Sequence, residues 1–193
     1  MFCVILIPSG KLLSITCPPN FTAKTDTLTI GGCDYVIDLC FKCATINDSN
    51  EVILKKYRKI YRNCTESPAM TEQQVFDEII NQITQAYYIR YELCNCNVPP
   101  CNEGGLTFYF YSNVCWYKYY DSEFNTAIVE QCGNAYCLKK YRLCWTELEG
   151  EHTELMSSTP CGNWNSCDYS EIPDDPGPND PPTDCYRYVT DCQ

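Results

Sequence analysis

Seventeen cysteines in a chain of 193 residues are the most reactive feature of this sequence. At that density they read as a disulfide scaffold of a secreted or cell-surface protein, because a cytosol would hold so many thiols reduced. The competing chemistry is metal binding, centred on Cys40-x-x-Cys43 and Cys94-x-Cys96. A structural zinc site needs four ligands, usually as two close pairs. The one histidine, His152, sits apart in the polar stretch Glu149-Gly-Glu-His-Thr-Glu154. Cys40 and Cys43 lie in an alternating stretch with an odd separation, so a strand would turn them to opposite faces and away from a common ion. Disulfides are therefore the reading for Cys17, Cys33, Cys40, Cys43, Cys64, Cys94, Cys96, Cys101, Cys115, Cys132, Cys137, Cys144, Cys161, Cys167, Cys185 and Cys192. Seventeen is odd, which leaves at least one thiol without a partner in the chain; Cys3 and Cys192, near the two ends, are the easiest to separate from a folded body. The close pairs Cys132/Cys137, Cys161/Cys167 and Cys185/Cys192 would close short loops, although spacing does not determine connectivity.

No catalytic, cofactor-binding or metal-binding residue is assigned from the sequence. A nucleophile needs a positioned base, and His152 has no apolar neighbour to hold it. Gly-x-Ser-x-Gly, a phosphate loop and His-Glu-x-x-His are all missing from the sequence. Twenty-five carboxylates keep a secreted carboxylate-dependent hydrolase among the alternatives, since their pairing in space is not visible. Calcium is the metal that fits best, with oxygen ligands at Asp174, Asp175, Asn179, Asp180 and Asp184. Their spacing is not that of an EF-hand and prolines interrupt it, so a solvated acidic linker is the preferred reading. Sequons at Asn20, Asn47 and Asn63, with a weaker one at Asn165, are candidate glycan sites near expected loops. Ser157–Pro160 and Pro181–Thr183 offer O-linked positions.

A formal charge of −11 argues against nucleic acid and anionic lipid as partners. The basic run Lys55-Lys56-Tyr57-Arg58-Lys59-Ile60-Tyr61-Arg62 reads as a solvated face with Tyr57 and Tyr61 turned inward. No segment reaches the roughly eighteen apolar residues that a membrane span requires. The apolar run Phe2–Ile7 stops at Pro8-Ser9-Gly10, too short for the usual core of a leader peptide, so export is expected to use a leader outside this numbering.

The elements that must carry these residues read as an α+β fold, mainly antiparallel β, with one amphipathic helix packed on a disulfide-rich sheet. Its centre is Gly105–Trp145, where aromatic and β-branched residues between turn signals predict three or four antiparallel strands in a meander. Lys11–Thr16, Thr27–Ile30 and Tyr35–Ala44 predict further strands, with a turn at Gly31-Gly32. Asp48 onward fits either a capped helix or a strand. Thr71-Glu-Gln-Gln74 is a capping box, and Val75, Phe76, Ile79, Ile80, Ile83, Ala86 and Tyr87 mark one face of a helix over Glu72–Tyr88. Thr146–Pro160 is mostly polar. The organisation is an apolar strand and linker over 1–10, a disulfide-rich body over 11–171, and a Pro/Asp-rich tail over 172–193 whose Cys185–Cys192 end docks back as a strand or clip.

Phe2, Cys3, Val4, Ile5, Leu6 and Ile7 form a β-prone strand cut off from the body by Pro8-Ser9-Gly10, and such a strand must pair at home or in a neighbour. The leading function is thus an extracellular structural subunit that self-assembles head-to-tail into a fibre or surface layer by inserting this strand into the next copy. The alternative is a secreted module whose Tyr and Trp side chains grip glycan or protein.

Overall fold

A computed structural model describes residues 15–44, 49–60, 64, 70–165, 167, 171–190 and 192. The first three strands, β1 (Thr22–Ile30), β2 (Cys33–Lys42) and β3 (Asn50–Ile60), pair antiparallel in chain order. Gly31 and Gly32 link β1 to β2 with φ of 57° and 81°. A two-residue hairpin turn of this hand needs positive φ at both positions, which glycine adopts freely. β1 is longer than predicted. Of the expected strand Lys11–Thr16, residues 11–14 lie outside the described residues, and Ile15 and Thr16 are not in a strand.

β3 resolves the segment that fitted both helix and strand. Its register on β2 slips where Lys56 faces Asp38 and Leu54 faces Leu39, leaving Lys55 as an extra residue. Such a bulge flips the inward phase of a strand: Val52 and Leu54 are buried before it and Tyr57 after it. Two inward phases in one strand imitate helical spacing.

With eleven residues, β3 is also long enough for two neighbours on its second side. Asn50–Ile53 pair in parallel with β4 (Leu106–Asn113), while Lys56–Arg58 pair antiparallel with β6 (Thr126–Gln131). The sheet therefore forks. One arm continues from β4 to β7 (Tyr136–Thr146) and β8 (Gly150–Cys161); the other continues from β6 to β5 (Cys115–Asp121) and β9 (Tyr186–Arg187). Gly105–Trp145 does supply four strands, but they are not a meander. The run Leu106–Tyr120 breaks at Val114, whose amide donates to the Ala135 carbonyl at 3.2 Å and whose carbonyl accepts from Tyr188 at 3.0 Å. The sheet is mostly antiparallel, with β3 and β4 its parallel strand pair among the described residues.

Helix α1 (Glu72–Ile83) starts at its capping box, with the Gln74 amide donating to Thr71 Oγ1 at 3.2 Å and the Thr71 amide to Gln74 Oε1 at 2.8 Å. It buries Val75, Phe76, Ile79, Ile80 and Ile83 against the sheet. It ends before the predicted Tyr88: the Thr84 hydroxyl donates to the Ile80 carbonyl at 2.8 Å, and the chain re-coils as a π-helical turn over Tyr88–Cys94. That change of pitch turns Tyr87 out of the stripe and into solvent.

The tail returns to the body along β5. Thr183 and Lys118 exchange two hydrogen bonds, amide to carbonyl at 2.9 Å and amide to hydroxyl at 2.8 Å. Tyr186 and Tyr188 are buried, with the Tyr188 ring stacked on Phe76 at 4.3 Å. The Lys118 ammonium is buried and bonds Glu72, the Pro173 carbonyl at 2.6 Å and Asp175 at 3.0 Å. Glu72 also accepts from the Tyr186 and Tyr188 hydroxyls, and Tyr188 lies 2.6 Å from the Tyr57 hydroxyl. Burial pushes the Tyr57, Tyr186 and Tyr188 hydroxyls well above the ordinary tyrosine range. Of the basic run, Tyr57 is thus turned inward, while Tyr61 lies outside the described residues.

Among the described residues, seven disulfides join Cys17–Cys40, Cys33–Cys64, Cys43–Cys94, Cys101–Cys144, Cys115–Cys167, Cys132–Cys185 and Cys137–Cys192. None is one of the short-loop pairs suggested by spacing, because the sheet brings distant strands together. The last three close separations of 52, 53 and 55 residues and bind the C-terminal segment to both arms. Cys192, expected to separate easily, is held by Cys137. Cys96 and Cys161, read as bridge candidates, are free thiols. Cys161 faces Tyr136 across the ladder rather than Cys137. The sulfurs near Cys96 in sequence, Cys94 and Cys101, have partners elsewhere.

Candidate functional site

The polar stretch after Trp145 forms β8, the longest element missed in the sequence. Eleven of its twelve residues pair with β7 on one side, and no strand among the described residues pairs with the other. Gly162 ends it with φ 79°; a Cβ there would lie 1.8 Å from the Asn134 carbonyl oxygen, so only glycine lets the strand end pack on the Gly133-Asn134 turn. β8 escaped notice because an edge strand need not alternate sharply: both faces are half in solvent, so Ser, Thr and Glu serve on either. The usable signals are the Gly150 turn and the β-branched or apolar residues at Thr153 and Leu155.

The ladder is not continuous. Tyr141 pairs with Leu155 and Lys140 with Ser157, so Met156 is extra and forms a bulge. Gly150–Leu155 is the unbroken half; the other half carries Pro160. Leu155 and Met156 are 48% and 51% exposed, although both are apolar.

One face of β8 carries a charge cluster. His152, expected to lack any anchor, is held in the strand opposite Cys144. Its Nδ1 lies 3.0 Å from the Gly150 carbonyl, and its Nε2 3.2 Å from Glu154 and 3.4 Å from Glu149. The Gly150 carbonyl, followed by the two carboxylates, stabilises the protonated ring and raises its pKa. The Arg142 guanidinium, then His152, hold the Glu154 carboxyl below its usual range. The Cys101 and Cys144 sulfurs sit 3.9 Å from His152 Nε2 and Glu154 Oε1, respectively. Donor atoms of Cys101, Cys144, His152 and Glu154 all lie within 4.8 Å of one another. Yet the two sulfurs are bonded to each other, which leaves one imidazole and one carboxylate where a structural zinc site needs four ligands. The chemistry of the donor set is that of an ion-paired disulfide, with Arg90 adding a further ion pair to Glu151.

The other face borders a groove of about 370 Å³. One wall is Phe76, Asp77, Ile80 and Asn81 of α1, with Thr84 and Gln85 just beyond its end. The floor is Ser112 of β4, Lys139 and Tyr141 of β7, and Thr153 and Leu155 of β8; Val189 and Thr190 close one end. Tyr141 is stiffened by stacking on Phe108 at 4.9 Å. The groove thus lies between the α1 wall and the strands β4, β7 and β8.

The sequence-derived sites distribute as follows. Phe2–Ile7 and the sequons Asn47 and Asn63 lie outside the described residues. Asn20 is exposed in a turn with φ 68°, accessible to a glycan. Of the tail residues suggested for calcium, Asp175 bonds Lys118, and Asp180 accepts from the Gly177 amide at 2.7 Å. The structure thus directs these two carboxylates to different partners. No helix among the described residues is long and apolar enough to cross a membrane. No family model matches the chain, and neither a curated protein nor a solved structure matches it significantly.

Proposed function

We propose that this chain is an extracellular structural subunit that assembles head-to-tail into a fibre or surface layer, β8 of one copy accepting Phe2–Ile7 of the next. The observation that carries this reading is the uncovered outer side of β8. Proteins normally cover, shorten or charge a sheet edge, because a free row of amides and carbonyls recruits another strand. Here the unbroken half, Gly150–Leu155, has six residues, the length of the apolar run Phe2–Ile7. Seven disulfides support the oxidising compartment in which such a subunit works. Donor and acceptor are different surfaces, so the contact propagates unless it closes as a ring. Negative-stain imaging and sedimentation of the whole chain test the reading: filaments or rings are expected, and deletion of residues 2–7 is expected to leave monomers. Filaments of unchanged symmetry after that deletion would exclude strand donation.

A second reading, a secreted glycan- or protein-binding module, is favoured by one observation. Tyr87 and Tyr91 are 64% and 52% exposed and lie 5.1 Å apart, with the Arg90 guanidinium 4.6 Å from the Tyr91 ring. Exposed aromatic and Arg side chains are enriched at recognition surfaces. Glycan-array binding by a monomer, lost in Tyr87→Ala, would favour this reading over assembly.

A further inference from the structure

We infer that the groove between α1 and β8 reads the donor strand, seating alternate side chains of Phe2–Ile7 from a second copy and so selecting its phase and sequence. The inference rests on the reading of β8 as an acceptor edge, and it adds what that reading lacks, a source of specificity. A ladder of main-chain hydrogen bonds is indifferent to sequence; in strand addition, pockets beside the edge give selectivity.

An added strand would lie about 4.8 Å beyond β8 and continue its pleat. Its side chains would alternate between the two faces of the sheet, every second one falling on the side of Thr153 and Leu155, which line the groove. Phe76, Ile80, Leu155 and Val189 give that space an apolar part. Its charged members, Asp77 and Lys139, are of opposite sign, and the Gln73 amide already donates to Asp77 at 2.9 Å. Being opposite in sign and already partnered, they leave the groove no net charge for a charged donor to complement. Phe2–Ile7 is uncharged throughout and brings none. The Met156 bulge and Pro160 limit the second half of the edge, so a six-residue donor set against Gly150–Leu155 uses the part that remains.

The opposite face gives the contrast that makes the inference testable. There the donor would pass His152, Glu154 and Arg142, whose charges are paired at the surface. Side chains on that side meet solvent and tolerate change. Only one parity of the donor should therefore matter.

The experiment uses the whole chain. Aspartate is placed singly at each of residues 2–7, and association is measured by sedimentation. Three positions of one parity are expected to weaken association about tenfold or more, and the other three to change it little. Equal sensitivity at all six, or at none, overturns the inference. In parallel, a benzophenone side chain replaces Asn81 or Gln85, both exposed on the groove wall, in unlabelled chain mixed with ¹⁵N-labelled chain before assembly. Irradiation is expected to join the groove to the labelled segment bearing residues 2–7. Cross-links to the unlabelled segment with none to the labelled one, or only to other segments, overturn it. Asn81→Trp with Gln85→Trp fills the groove without touching the core. Its loss of association with an unchanged melting curve supports the inference. If it assembles normally while deletion of residues 2–7 prevents assembly, the groove is excluded and strand addition stands; indifference to both changes excludes both.

Discussion

The two arms of the forked sheet end in very different edges. On one, β5 is closed by the two-residue β9, by the tail hydrogen-bonded through Thr183 to Lys118, and by the Cys115–Cys167 and Cys132–Cys185 bridges. On the other, β8 presents twelve residues with exposed Leu155 and Met156 and no bridge of its own. The same chain thus protects the β5 edge with buried tyrosines, a buried ion pair and covalent bonds, and leaves β8 open; the third edge, β1, also pairs on one side alone, but Gln82 of α1 donates to its Thr29 carbonyl and its Lys24 is tied to Glu92. An open edge is a hazard that the fold shows it can remove, and this asymmetry is the physical ground for assigning β8 a role in association.

The sharpest way to break the comparison is to attack the closed edge at Glu72. Glu72→Leu would leave the buried Lys118 ammonium with one of its carboxylates gone and the Tyr186 and Tyr188 hydroxyls without their carboxylate acceptor, bonded only within the tyrosine cluster. Removing one partner of a buried ion pair costs about 3–5 kcal/mol, so denaturant unfolding should shift by that order. Met156→Ser, at the exposed bulge of the open edge, should stay within about 0.5 kcal/mol. If the two losses are equal, the edges do not differ in the way described.

Disulfide removal gives the next effect. Cys137→Ser with Cys192→Ser opens a 55-residue separation between the β4–β7–β8 arm and the C-terminal end, and should cost about 2–4 kcal/mol. Cys96→Ser and Cys161→Ser, which break no bridge, should each leave stability within about 0.5 kcal/mol. Alkylation before reduction, followed by intact mass, checks the pairing: Cys96 and Cys161 should be modified without reductant and the fourteen bridged cysteines should not. Burial raises the Cys96 thiol pKa, so its alkylation should be slow at neutral pH.

The contrast between the edges also separates what the sequence discloses from what it hides. Helix α1 was legible because its capping box is local and its stripe, Val75 to Ile83, faces a single core. The Gly31-Gly32 turn and the strands within Gly105–Trp145 were legible because turn chemistry and aromatic density act over a few residues. The fork was not, since it depends on β3 pairing with β4 and β6 in succession, and nothing in Asn50–Ile60 announces two partners. The bulge at Lys55 further disguised the strand as a helix. In the closed edge, the partners of Lys118 come from Glu72 and a Pro/Asp-rich tail remote in sequence, so local composition suggests only a solvated linker. The open edge was hidden for the opposite reason, because β8 is half exposed and its sequence is polar like a loop. In the candidate site, Phe2–Ile7 could be proposed as a donor from its own residues, whereas the edge proposed to accept it is visible only in the topology.

The smallest effect concerns pH and distinguishes the edges by their titratable groups. The protonated form of His152 on β8 is favoured by the Gly150 carbonyl, Glu154 and Glu149, with Arg142 also facing Glu154 and Arg90 facing Glu151 of the same strand. Its folded-state pKa is raised, so the protonated ring contributes stability that is fully present below the unfolded value of about 6.5. That contribution is lost as pH rises through the higher folded value. Glu154 has the opposite sign: its lowered pKa contributes stability above the ordinary carboxylate range, lost only as pH falls through the folded value. The open edge should therefore be tightest between the two and loosen from about pH 6.5 upward. The closed edge should not follow, because the pKa values of Tyr57, Tyr186 and Tyr188 are pushed far above that window by burial. Amide hydrogen exchange between pH 5 and 8.5, corrected for the intrinsic rate, should show protection falling across Gly150–Leu155 while the amides of Lys118 and Tyr188 stay constant. His152→Gln should remove the pH dependence of β8 and leave that of the closed edge unchanged. If β8 still loosens with pH in this variant, the group responsible is not His152, and the charge cluster is a passive surface feature of the edge.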